Sequence, residues 1–122
     1  MSAADHLGAY AEGWSNGALD TILGAVSDSF VFDDPNAGKI AKADFSQYFS
    51  GMVDLVASIR GSAFEGPFMA LTEVVTKEEN GVLTASCWWA VPGTDLQGSG
   101  LIKVTKDGVV SERLAYYAKL SD

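Results

Sequence analysis

The sequence predicts an α+β fold: three N-terminal helices packed on a strongly curved, mixed but mainly antiparallel sheet, together forming a cone-shaped α+β barrel. Three observations predict it. Helical apolar spacings are confined to roughly the first half of the chain. One short aromatic strand, SFVFD at 29–33, interrupts them. After residue 64, the turn signals EENG, PGTD and DG divide what remains into apolar extended runs, the pattern of consecutive hairpins.

Leu7, Tyr10 and Trp14 are three and four residues apart and share one helical face, and Asn16-Gly17 supplies a stop. Leu19, Ile22, Leu23 and Val26 repeat the spacing and predict a second short helix through about Ser27. The strand at 29–33 ends at Pro35 and the turn-rich NAGK. A third helix opens near 42–44 and closes before Gly61, with Phe45, Tyr48, Phe49, Met52, Val56 and Ile59 as its stripe. Residues 64–77 read as extended, with a bulge or bend at Gly66-Pro67. VLTASCWWAV, QGSGLIKVTK and VVSERLAYYAKL complete an antiparallel meander.

The chain has 122 residues and 48% hydrophobic content, enough for a single core, and reads as one domain over 1–122. Sixteen acidic residues against eight basic ones give a net charge of −8. That balance argues against nucleic acid and anionic membranes, which require Lys/Arg neutralisation. MSAADHLG lacks the basic and apolar regions of a signal peptide, and no apolar run has the length of a membrane span, so a cytoplasmic protein is expected. Cys87 is the only cysteine and His6 the only histidine, so neither a disulfide framework nor a metal site is expected, and no cofactor is called for. GSG at 98–100 reads as close backbone approach in a strand.

A bent sheet closed by helices on its concave side leaves an open end, where a ligand pocket belongs. Trp88 and Trp89 are adjacent in a strand and point to opposite faces, one into the cavity and one onto the convex face. An indole left wet there predicts a homodimer through the sheet face. Pro35 holds Asp34 extended, so alternation places Phe30, Phe32 and Asp34 on one side and Asp33 on the other. Arg60 and Arg113 are candidates for a ligand carboxylate or for surface pairs.

The first helix ending in SNG, the ALDTIL helix, the acidic FVFDDP strand and the late KDGVVSERLAYY strand resemble the bacterial ketosteroid isomerases. Those belong to the nuclear transport factor 2-like superfamily, alongside SnoaL-type polyketide cyclases. The resemblance covers nearly the whole chain. It implies that Asp34, the acid before the strand-end proline, is a general base, and that Tyr10 in the first helix donates to an oxyanion. It implies a pocket formed by Trp14, Phe30, Phe32, Tyr48, Phe49, Met52, Trp88 and Tyr116, with Ser86 and Thr84 sharing the face of Trp88. The family's second oxyanion acid is missing, since GSGLIKV offers only Leu101 or Lys103 at that strand. The tyrosine that braces the oxyanion tyrosine falls at Tyr48 or Phe49, with Phe49 the better aligned. SnoaL-type cyclases carry an acid on a C-terminal strand; here alternation does not clearly aim Glu112 inward. The expected function is cofactor-free isomerisation, cyclisation or dehydration of a small apolar carbonyl compound in the cone cavity. The alternative is a non-catalytic ligand-binding or dimeric interaction module of the same fold.

Overall fold

The computed structural model describes residues 1–117. Helix α1 (Ala3–Asn16) starts with a reciprocal capping box between Ser2 and Asp5. It stops where Gly17 adopts φ 62°, a left-handed conformation that glycine accepts without Cβ strain. Helix α2 (Leu19–Ala25) is shorter than its periodicity predicts. Val26 and Ser27 belong to the strand β1 (Val26–Asp34), because β-branched Val26 pairs with Val109 instead of continuing the helix.

NAGK is more than a turn. Residues 35–37 turn the chain, and β2 (Gly38–Ala41) returns antiparallel along β1, pairing Asp34 with Gly38 and Val31 with Ala41. Helix α3 (Lys42–Arg60) has its expected bounds and buries Phe45, Phe49 and Val56. Ile59, at the end of the apolar stripe, is half exposed.

The extended segment begins later than the sequence suggests. Residues 61–69 are irregular, and Gly66 (φ 143°) lies in that loop and not in a strand. Arg60 secures the loop by donating to the carbonyls of Pro67 (3.3 Å) and Pro92 (2.8 Å) while its guanidinium lies 4.2 Å from the Phe64 ring centroid. Strand β3 (Ala70–Glu79) carries its bulge between Thr72 and Val75, where Glu73 has φ 52°. The meander continues through β4 (Val82–Ala90), β5 (Gln97–Thr105) and β6 (Gly108–Tyr116). The last residues of the expected strand, 118–120, lie outside the described residues.

The sheet order is β2-β1-β6-β5-β4-β3, with one parallel pairing, β1 against β6. This pairing closes the fold: it sets the early strand beside the end of the meander, so one cavity draws on both halves of the chain. Helix α1 crosses the concave face in contact with β3, β4, β5 and β6, and α3 covers β1 and β2. Between helices and sheet lies an aromatic core of Tyr10, Trp14, Phe30, Phe32, Phe45 and Phe49. None of the helices among the described residues is long and apolar enough to cross a membrane.

Candidate functional site

The concave face surrounds a cavity of about 460 Å³ with mostly apolar walls. Strand alternation delivers the wall residues. From β1 come Phe32 and Asp34; from β6 come Glu112, Leu114 and Tyr116; from β4 comes Trp89. Helix α1 contributes Trp14, and α3 contributes Tyr48, Met52 and, at its exposed outer edge, Leu55.

Asp34 is only 2% exposed. It receives three hydrogen bonds, from the Tyr48 hydroxyl (2.5 Å) and the Tyr116 hydroxyl (2.9 Å) at Oδ2 and from the Asn36 backbone N–H (2.9 Å) at Oδ1. The bond from Asn36 is an Asx turn at the strand end, fixing the carboxyl orientation locally. The two phenols come from α3 and β6, so the carboxyl joins three elements. Burial and the Asp34 hydrogen bond push the Tyr116 hydroxyl up to about 12 and the Tyr48 hydroxyl higher still, so both are neutral donors.

Glu112 is the second carboxyl of the cavity and is 4% exposed. Burial pushes it up from 4.5 to about 7, while a hydrogen bond from the Tyr10 hydroxyl to Oε1 opposes the shift. Its space is cut into the neighbouring strand: a Cβ on Gly100 would lie 2.7 Å from Oε2. Burial first, and the same carboxylate second, raise the Cys87 thiol to about 11.

Of the residues singled out in the sequence, Asp34, Trp14, Phe32, Tyr48, Met52 and Tyr116 line the cavity. Phe30 and Phe49 stand behind the wall as core, Phe30 edge-on to Tyr10 at 6.1 Å and Phe49 at 5.5 Å from Trp14. Tyr10 is fully buried, does not line the cavity, and donates its hydroxyl to Glu112 instead of to the ligand space. The tyrosine beside the site on α3 is Tyr48, not the better-aligned Phe49.

Trp88 is a correction. It lies on the convex face, 6.0 Å from the Tyr117 ring, and Trp89 is the indole inside. Trp89 donates Nε1–H to the Ser99 carbonyl (3.0 Å) and fits because Gly98 leaves room, a Cβ there lying 2.9 Å from the indole. Ser86 and Thr84 share the convex parity of Trp88, one residue off the expected register. The signal was present in VLTASCWWAV, where Leu83, Ala85, Cys87, Trp89 and Val91 alternate with Thr84 and Ser86.

Glu112 was missed for a related reason. It is four residues before Tyr116 on one strand, so both side chains share a face, and a cavity position for Tyr116 carries Glu112 with it. His6 is less exposed than its place near the N-terminus suggests, with Nε2 3.0 Å from the Lys106 carbonyl oxygen. Arg60 is occupied by the 61–69 loop, and Arg113 is exposed on the convex face.

Neither a protein-family model nor a curated protein matches the sequence. Solved structures do match. A candidate polyketide cyclase from Xanthomonas campestris pv. campestris superposes with a TM-score of 0.64 at 16% identity, over 94% of this chain and 90% of the other. An NTF2-like protein of unknown function from Cytophaga hutchinsonii gives 0.63 at 13% identity, over 96% and 91%. A protein with a cystatin-like fold from Nostoc punctiforme gives 0.68 at 9% identity, over 96% and 90%. At these identities the likeness shows the fold, which is NTF2-like and cystatin-like.

Proposed function

We propose that this protein is a cofactor-free enzyme that moves a proton on a small apolar carbonyl compound, with isomerisation, cyclisation or dehydration as the outcome. One observation carries the reading: two almost fully buried carboxyl groups, Asp34 and Glu112, stand on the wall of one apolar cavity in different hydrogen-bonding environments. Fold alone supports no reaction.

The two carboxyls divide the work. Asp34 accepts at both oxygens, and Oδ1 keeps a free lone pair with which to take a proton α to a carbonyl. Glu112 carries its proton up to about pH 7 and can donate to the oxygen on which negative charge gathers. It thereby supplies the acid that GSGLIKV lacks. Tyr10 acts through Glu112 as a positioning residue, and Tyr48 and Tyr116 orient Asp34. Returning the proton to a second carbon completes an isomerisation and leaves both carboxyls as they began.

A second reading, a non-catalytic binding module, is favoured by a specific observation: both phenols bond the same oxygen of Asp34, as in a structural strut. Deuterium exchange at the α-carbon of 2-tetralone, followed by NMR, separates the two. The enzyme reading expects catalysed exchange that falls about 10²-fold or more in Asp34→Asn, with the fold intact by circular dichroism. Equal rates in wild type and variant would sink it.

The protein is also proposed to self-associate through the convex face, where Trp88 is accompanied by the exposed side chains of Val75, Leu101 and Tyr117.

A further inference from the structure

We propose that the ligand of this cavity carries a positive charge, an amine or quaternary ammonium group on an apolar body. The inference deepens the reading above and rests on it only in taking the cavity as the ligand site.

The cavity wall holds two carboxyl groups, 2% and 4% exposed, and no Lys, Arg or His among the described residues. The ion pairs found among those residues, Lys42–Asp28 and Lys77–Glu79, involve other acids on the surface. The tyrosines that bond Asp34 and Glu112 supply hydrogen bonds but no countercharge. A buried carboxylate ordinarily has a cation beside it, a metal on it, or a proton; Glu112 keeps its proton up to about pH 7, so the demand for a cation there applies above that pH, where the test below is run. The described residues gather no group of three or more His, Cys, Asp or Glu side chains placed to hold a metal ion.

The rest of the wall suits an organic cation. The rings of Trp14, Phe32, Tyr48, Trp89 and Tyr116 all line the cavity. Aromatic faces attract ammonium groups, most strongly where water is excluded. Rings and carboxylates together complement a charged amine; the same set repels a ligand bearing carboxylate or phosphate. The volume of about 460 Å³ holds one or two rings with an ammonium head. An amino-substituted carbonyl compound satisfies both this requirement and the proposed proton transfer.

The test is calorimetric titration of the whole chain at pH 8 with three probes on one scaffold: 2-naphthylmethylammonium, 2-naphthylmethanol and 2-naphthoate. The ammonium should bind about tenfold or more tighter than the alcohol, and the carboxylate weaker than both. Glu112→Gln and Asp34→Asn, both near-isosteric, should each shrink the ammonium-to-alcohol ratio. Alcohol binding as tightly as ammonium overturns the charge inference and leaves the cavity as a binding site. Failure of all three probes overturns both readings. An ammonium preference that persists undiminished in the double variant Asp34→Asn/Glu112→Gln belongs to the net negative charge of the rest of the chain and also overturns the inference.

Discussion

The hydroxyl of Tyr10 donates its hydrogen bond to Oε1 of Glu112, joining α1 to β6 across 102 positions of sequence. Both groups are buried, and no cation is bonded to the carboxyl among the described residues. The phenol is therefore what makes a carboxyl tolerable at that depth, and it holds Glu112 at the cavity wall.

Tyr10→Phe removes that donor while keeping the ring in the aromatic core. The Glu112 carboxyl should rise above about 7, because the Tyr10 bond is what opposes the effect of burial. Leaving the oxygen unpaired should cost ~1–3 kcal/mol of stability. Carbon-13 NMR titration of the glutamate carboxyls and urea unfolding read the two effects; an unmoved Glu112 resonance would contradict the first.

Glu112 also gives the fold a pH dependence with a definite sign. Its folded pKa, about 7, is above the ordinary 4.5, so between those values the folded state keeps a proton that the unfolded chain has released. Stability is therefore greatest at the acidic end of the window and falls as pH rises towards 7, by up to ~3 kcal/mol. Urea midpoints at pH 5 and pH 8 should show the fall in wild type, and Glu112→Gln should flatten it. A midpoint that rises over this range in wild type would show that the carboxyl is not buried in this way.

The two strand glycines of β5 should respond differently. A Cβ at Gly98 would lie 1.8 Å from the Ala115 carbonyl oxygen, which is backbone of the paired strand. Gly98→Ala should therefore cost ~3 kcal/mol or more, or prevent folding. At Gly100 the obstacle is Glu112 Oε2, the end of a flexible side chain. Gly100→Ala should cost only ~1 kcal/mol yet displace the carboxyl and change its titration. Thermal melts of the two variants check the order; equal losses would contradict it.

Self-association through the convex face places Leu101, 41% exposed, near the centre of the contact. Its neighbours across the strands are Ser86 and Arg113, with Trp88 one row away. Leu101→Asp should convert a dimer to monomer in sedimentation velocity without loss of fold. Wild type sedimenting as a monomer at micromolar concentration would remove the proposal.

Much of this architecture was legible from local pattern. The α3 stripe, the SNG stop and the three hairpin turns each rest on neighbours within about four residues, where periodicity and turn chemistry operate. β2 was not legible, because it is four residues long with a single buried apolar side chain, Ile40, follows directly on turn-forming residues, and its pairing with β1 depends on the α3 packing that follows. The bulge at Glu73 was likewise misplaced: Gly66-Pro67 is the stronger local signal, but it falls in the loop held by Arg60.

By itself the sequence determined which side chains share a face. It put Phe30, Phe32 and Asp34 on one side of β1, and it contained, unread, the parity that takes Trp89 and Glu112 inward with their neighbours. Only the tertiary structure decided which faces meet. The parallel pairing of β1 with β6 brings Asp34 to Tyr116, and the passage of α1 over the sheet turns Tyr10 towards Glu112 and away from the ligand space. Alternation is a property of each strand alone, whereas the partner of a buried hydroxyl follows from the order and curvature of strands far apart in the chain.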